Sequence, residues 1–150
     1  MSPAPSIAEH LLGINDFFGK PPTEIDREVA RRVREYLVEL RGFLRELHGG
    51  GETGGHVNEA NSDGIDRLVR RLFELAEEQL LAARSPVESG LCVIAVGGYA
   101  RREMSCHSDV DLLVLYRQGP TPYVVSIAER LQYWMWDAGL EVGCATRTIQ

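Results

Sequence analysis

Leu91-Cys92-Val93-Ile94-Ala95-Val96, Gly97-Gly98-Tyr99-Ala100-Arg101-Arg102-Glu103-Met104-Ser105-Cys106-His107-Ser108, Asp109-Val110-Asp111-Leu112-Leu113-Val114-Leu115-Tyr116: this run decides the fold. It reads as a buried apolar strand, a glycine-led turn with a short helical piece, and a second strand opening on two acids. Gly97 and Gly98 suit a crowded corner, because glycine alone tolerates positive φ and close backbone approach without cost. Exposed backbone N–H groups there, with a helix start just beyond, suit an anion such as phosphate. Asp109 and Asp111 are two apart, so on a strand they share one face, roughly 6.6 Å apart at Cα. Carboxylates approaching to about 4 Å would repel by about 4 kcal/mol at an effective dielectric of ~20, so the pair asks for a cation. Hard oxygen ligands beside a phosphate cradle favour Mg²⁺. A bare Asp-x-Asp also suits the solvated start of a strand; the Gly-Gly corner on the preceding strand favours the metal.

Upstream, Ile7, Leu11, Leu12, Ile14, Phe17 and Phe18 predict a short helix, ended by Gly19 and Pro21-Pro22. Thr23 and Asp26 offer a capping start for a long amphipathic helix over about 23–47, whose Arg/Glu face reads as solvated. A glycine-rich loop, 49–55, follows. Ser62 or Asp63 caps a second long helix over about 63–84, and the two helices pair antiparallel. After a turn at 117–122, Tyr123–Ala138 forms a third helix, with Tyr133, Trp134 and Trp136 read as core packing. Gly139 ends it, and Leu140–Ile149 alternates as a further strand. The fold class is α+β (α/β): a helical region over 1–90, then a small mixed sheet over 91–150.

Gly97-Gly98 followed by Ser108-Asp109-Val110-Asp111 resembles the signature of the DNA polymerase β-type nucleotidyltransferase superfamily. More closely, Gly97, Gly98, Tyr99, Arg101, Glu103, Ser108, Asp109, Asp111 and Leu112 are similar to the N-terminal domain of the bifunctional uridylyltransferase/uridylyl-removing enzymes of bacterial nitrogen regulation. Their pattern is Gly-Gly-Tyr-Gly-Arg-Gly-Glu-Leu, then Ser-Asp-Ile-Asp-Leu; Ala100, Arg102 and Met104 depart from it. Trp136-Asp137 and Leu140-Glu141-Val142-Gly143-Cys144-Ala145-Thr146-Arg147-Thr148 resemble the same family's Trp-Asp and Leu-x-Val-Gly-His-Ser-Val-Arg-Thr, with Cys144 in the place of His.

The resemblance implies a polymerase β-like nucleotidyltransferase fold and Mg²⁺-dependent transfer of UMP from UTP to a tyrosine of the PII signalling protein. It also implies roles: Asp109 and Asp111 hold the metal, Gly97 and Gly98 present backbone to the triphosphate, Ser108 reaches a terminal phosphate, and Arg101 neutralises charge on the pyrophosphate. The family's third carboxylate finds no match, neither Asp137 nor Glu141 standing at such a position. The chain therefore reads as an N-terminal piece of a longer enzyme that transfers little by itself.

The chain has 150 residues, 44% hydrophobic and 25% charged, with a net charge of −6. That is one domain's worth of core. An acidic balance argues against general nucleic-acid or membrane binding, which needs a basic face. Cys92, Cys106 and Cys144 are odd in number and lack metal-ligand spacing, so no disulfide framework is expected, and Cys92 reads as a core residue. With no long apolar span or leader, cytoplasm is the expected location. Two other readings stay open: a nucleotidyltransferase-like domain with another acceptor, and a non-catalytic regulatory or interaction module whose working surface is the pair of long helices. A Rossmann site fits poorly, since the spaced third glycine and distal acid are missing.

Overall fold

The computed structural model describes residues 3–11 and 19–149. Its elements run α1 (Ile7–Leu11), α2 (Pro22–Gly49), α3 (Gly54–Ala82), β1 (Leu91–Ala95), α4 (Gly97–Ala100), β2 (Val110–Tyr116), α5 (Pro122–Asp137) and β3 (Val142–Thr148). Leu12, Ile14, Phe17 and Phe18, expected in the first helix, lie outside the described residues.

The long helices form because apolar residues recur at helical spacing, and each buries one stripe. On α2 the stripe is Ile25, Val29, Val33, Tyr36, Leu37, Leu40, Leu44 and Leu47. On the opposite side Arg31 and Arg32 both donate to Glu28, and the bonded Arg31 holds that carboxyl down to about 2. The helix begins one residue before the expected Thr23 cap. Pro21 is its N-cap and Pro22 its first residue, with no side-chain cap bond, because proline's fixed φ and missing N–H suit the first turn.

The second long helix corrects the expectation more deeply. It starts at Gly54, not at Ser62 or Asp63, so the supposed loop 49–55 shrinks to 50–53 and the eight residues from Gly54 to Asn61 join the helix. Thr53 caps it, its hydroxyl accepting from His56 N at 3.2 Å. Glycines, asparagines and serine are poor helix formers, so tertiary contacts supply what propensity lacks. Gly64 lets α2 come close: a Cβ there would lie 2.5 Å from Leu40 Cδ1, and Tyr36 Oη donates to Gly64 O at 2.8 Å.

The sheet has the order β1-β2-β3, with β1 antiparallel and β3 parallel to the central β2. Helix α5 is the crossover from β2 to β3; Thr121 caps it, and Gly139, at φ +92°, follows its end. It also ties sheet to hairpin: Trp134 Nε1 donates to Asp26 Oδ1 at 2.7 Å, and Arg130 Nε to Gln79 Oε1 at 2.6 Å. One continuous core joins Tyr36, Leu40, Leu68 and Leu72 to Leu112, Val114, Ile127 and Trp134.

Along β2 the even residues Val110, Leu112, Val114 and Tyr116 are buried, while Asp111, Leu113 and Leu115 are half-buried on the other face. That other face carries Cys92 and Ile94 of β1, both exposed, so β1 is not the fully buried strand expected and Cys92 is not a core residue. The cause is one-sided cover: helices pack on one face, and strand alternation sends every second residue to the other. Trp134 is likewise the only core member of its aromatic cluster, for Tyr133 and Trp136 stay about half exposed. Neighbours on a helix point in different directions.

Candidate active site

The sheet brings the glycine corner and the acids together. Val96 N donates to Asp111 O at 3.0 Å, so β1 leaves the sheet beside the acid. Gly97 follows at φ +62°, a conformation that strains other residues. A Cβ on Gly97 would stand 3.2 Å from Asp111 Oδ2, and one on Gly143 2.7 Å from Asp111 Oδ1. The Asp111 carboxylate is thus seated between two glycines, one from the corner after β1 and one directly across the ladder on β3. It is half-buried, and among the described residues nothing hydrogen-bonds or ion-pairs with it.

Asp109 lies one residue before β2 and is exposed. Strand alternation, continued back from Asp111, sets it on the same face. Val110 N donates to Glu141 O at 2.8 Å, and Val110 pairs with Val142. The same register, taken one residue back, lays Glu141 alongside Asp109. Glu141, set aside above as matching no family position, gains this neighbour only through the parallel pairing of β2 and β3. Among the described residues, no three His, Cys, Asp or Glu side chains converge as a set that could hold a metal ion. What fits a hard cation here is Asp111 itself: a half-buried carboxylate without a protein partner, beside a second acid and open backbone.

Helix α3 holds the corner in place. Tyr99, buried, donates its hydroxyl to Asp66 Oδ1 at 2.6 Å; burial, then the bond to Asp66, pushes that phenol far above its ordinary range, so it remains a donor. Asn61 Nδ2 donates to Met104 O and Ser105 O, both at 3.0 Å. Arg102 adopts φ +59° and its guanidinium reaches Asp63 and Asp66. The family pattern has glycine at that position, and the left-handed backbone is the reason glycine suits it.

Ion pairs therefore hold an arginine where backbone strain opposes it, by about 1–2 kcal/mol, and exposed pairs return roughly 0.2–1 kcal/mol each. Arg102→Ala keeps the strain and loses the pairs; Arg102→Gly loses both. Urea unfolding should therefore rank Gly above Ala here by about 1 kcal/mol, the reverse of the order in a helix interior. Equal or lower stability for the glycine variant would contradict the strained turn.

The remaining expected residues are placed as follows. Arg101 Nη2 lies 3.9 Å from the point a Gly98 Cβ would take, over the glycine corner, while its Nε donates to Glu103 at 2.8 Å. Ser108 does local work: its Oγ accepts from Ser105 N at 3.0 Å and lies 3.0 Å from Ser105 Oγ, closing the turn before Asp109. Cys144 packs partly buried against the core, and burial pushes its thiol up, so it stays neutral. No helix of the described residues is long and apolar enough to cross a membrane.

Residues 38–147 match the nucleotidyltransferase family DUF294. Among curated proteins, the chain is 34% identical over 119 residues to the bifunctional uridylyltransferase/uridylyl-removing enzyme of Caulobacter vibrioides, an alignment covering 79% of this chain and 13% of that protein. It is 41% identical over 111 residues to the enzyme of the same name from Rhodospirillum rubrum, covering 73% and 11%. The Nitrobacter winogradskyi enzyme of that name is 31% identical over 147 residues, 96% of this chain and 15% of the relative. The chain thus spans about an eighth of the length of the curated relatives it matches, and no solved structure matches it. With the family match running from the middle of α2 into β3, the chain belongs to the DUF294 family of nucleotidyltransferases.

Proposed function

We propose that this chain is the nucleotide-binding part of an enzyme that transfers UMP from UTP to a tyrosine hydroxyl of a PII signalling protein. The observation that supports it best is the Asp111 carboxylate, unpaired and seated between Gly97 and Gly143 at the left-handed corner. In the reaction the tyrosine oxygen bonds to the α-phosphorus, the α–β anhydride bond breaks, pyrophosphate leaves, and the hydroxyl proton passes to a base or solvent.

Asp109 and Asp111 would hold Mg²⁺, with Glu141 the carboxylate next in line through the register. Bound there, the metal supplies charge neutralisation for the attacking and leaving oxygens. The chain's own groups do the rest. The first-turn N–H groups of α4, which have no acceptor within the helix, face phosphate oxygens. Arg101, over Gly98, offsets the negative charge that grows on the leaving pyrophosphate. The Tyr99–Asp66 and Asn61–Met104 bonds keep the corner from shifting as charge develops. An acidic protein serving one nucleotide through local backbone needs no basic face, in keeping with the net charge of −6.

Calorimetric titration of the intact gene product with UTP, CTP, ATP and GTP, each with and without Mg²⁺, tests the reading. UTP should bind at least tenfold tighter than the others, and only with the metal. Magnesium-independent binding, or none, would favour a regulatory module instead; a preference for another base would point to a different donor.

A further inference from the structure

The turn that closes on Ser108 also forms one wall of a cleft outside the acid corner. The cleft encloses about 360 Å³, within the range of roughly 300–1,000 Å³ usual for small-molecule sites. Arg41, Arg45 and His48 line it from α2, and their i, i+4, i+7 spacing sets them on one stripe of the helix. His107 faces them from the turn, and Leu44 and Val57 make an apolar floor. Among the described residues no carboxylate lines it. Clefts of similar size elsewhere differ: one mixes Asp26 and Glu129 with Arg130, and another carries only acids, Glu9, Glu39 and Glu46.

Among the described residues, none of these four basic side chains has a hydrogen bond or ion pair, whereas Arg31 and Arg32, earlier on the same helix, are both paired with Glu28. Like charges at i, i+4 repel, and here no acid among the described residues pairs with them. In a protein of net charge −6 such a cluster stands out. The geometry points to a binding site for a small organic phosphate, whose phosphate group takes the guanidinium forks and imidazole N–H donors while its apolar or aromatic body covers Leu44 and Val57. This site is separate from the acid corner and stands whether or not the chain transfers UMP.

Phenyl phosphate, inorganic phosphate and benzyl alcohol serve as probes, titrated into the ¹⁵N-labelled 150-residue chain without divalent metal. Phenyl phosphate should shift the amide signals of Leu44, Val57 and His107 saturably and bind at least tenfold tighter than either fragment, since it alone uses both forks and floor. Arg41→Ala should weaken it roughly tenfold, and Arg45→Glu should abolish it; both residues are exposed, and unchanged thermal melting checks the fold. Inorganic phosphate binding as tightly as phenyl phosphate, shifts confined to residues 97–101, full affinity in Arg45→Glu, or no saturable shift would each overturn the proposal.

Discussion

Asp111→Asn is expected to lower UMP transfer by roughly a hundredfold to ten-thousandfold in the intact enzyme, the range corresponding to several kcal/mol of lost charge stabilisation. Asparagine keeps the size and one oxygen of the native side chain, so it still fits between Gly97 and Gly143; what it removes is the negative charge that would hold Mg²⁺. The fold should not suffer. No described residue bonds to the Asp111 side chain, and it is half-buried, so removing an uncompensated charge there is neutral to stabilising. The measurement is therefore double: steady-state transfer of labelled UMP and thermal unfolding of the same preparation. Transfer within threefold of wild type would remove Asp111 from the metal site, and a large drop in melting temperature would reassign it as a structural residue.

Gly143→Ala is the second large effect, and it acts by displacing the Asp111 carboxylate without removing any expected metal ligand. The added methyl would begin 2.7 Å from Asp111 Oδ1, closer than carbon and oxygen can stand. Either the carboxylate swings away or the β2–β3 ladder spreads. Both displace Asp111 by enough to lower transfer at least tenfold, since small misplacements at a reacting centre are costly. Ordinarily alanine in a strand is more stable than glycine by about 0.5–1 kcal/mol; here overpacking should reverse the sign, to a loss of about 1–3 kcal/mol. A double-mutant cycle isolates the cause. In an Asp111→Ala background the clash partner is gone, so Gly143→Ala should cost nothing or stabilise. An equal penalty in both backgrounds would mean that the glycine is needed by the strand and not by the carboxylate.

Much of this architecture was legible in the residues. The stripes of α2 and α5 and the corner between β1 and β2 follow from periodicity and glycine placement, which act over a few residues. The beginning of α3 did not follow, because the run from Gly54 to Gly64 has weak helix propensity and is held helical by Thr53, Leu40 and Met104 from outside it. The exposure of Cys92 and Ile94 was hidden for a related reason: an unbroken apolar run does not say how many faces of its sheet are covered. Trp136 was misjudged because three aromatics in one helical turn cannot all face the same core.

By itself, then, the order of residues determined the apolar stripes of α2 and α5, the glycine corner and the acid pair that follows it, all consequences of local stereochemistry. Tertiary structure alone decided that β3 runs parallel beside β2, so that Gly143 clears space for the Asp111 carboxylate and Glu141 comes alongside Asp109. Pairing between strands separated by a whole helix depends on how α5 packs across the sheet, and no short stretch of sequence carries that information.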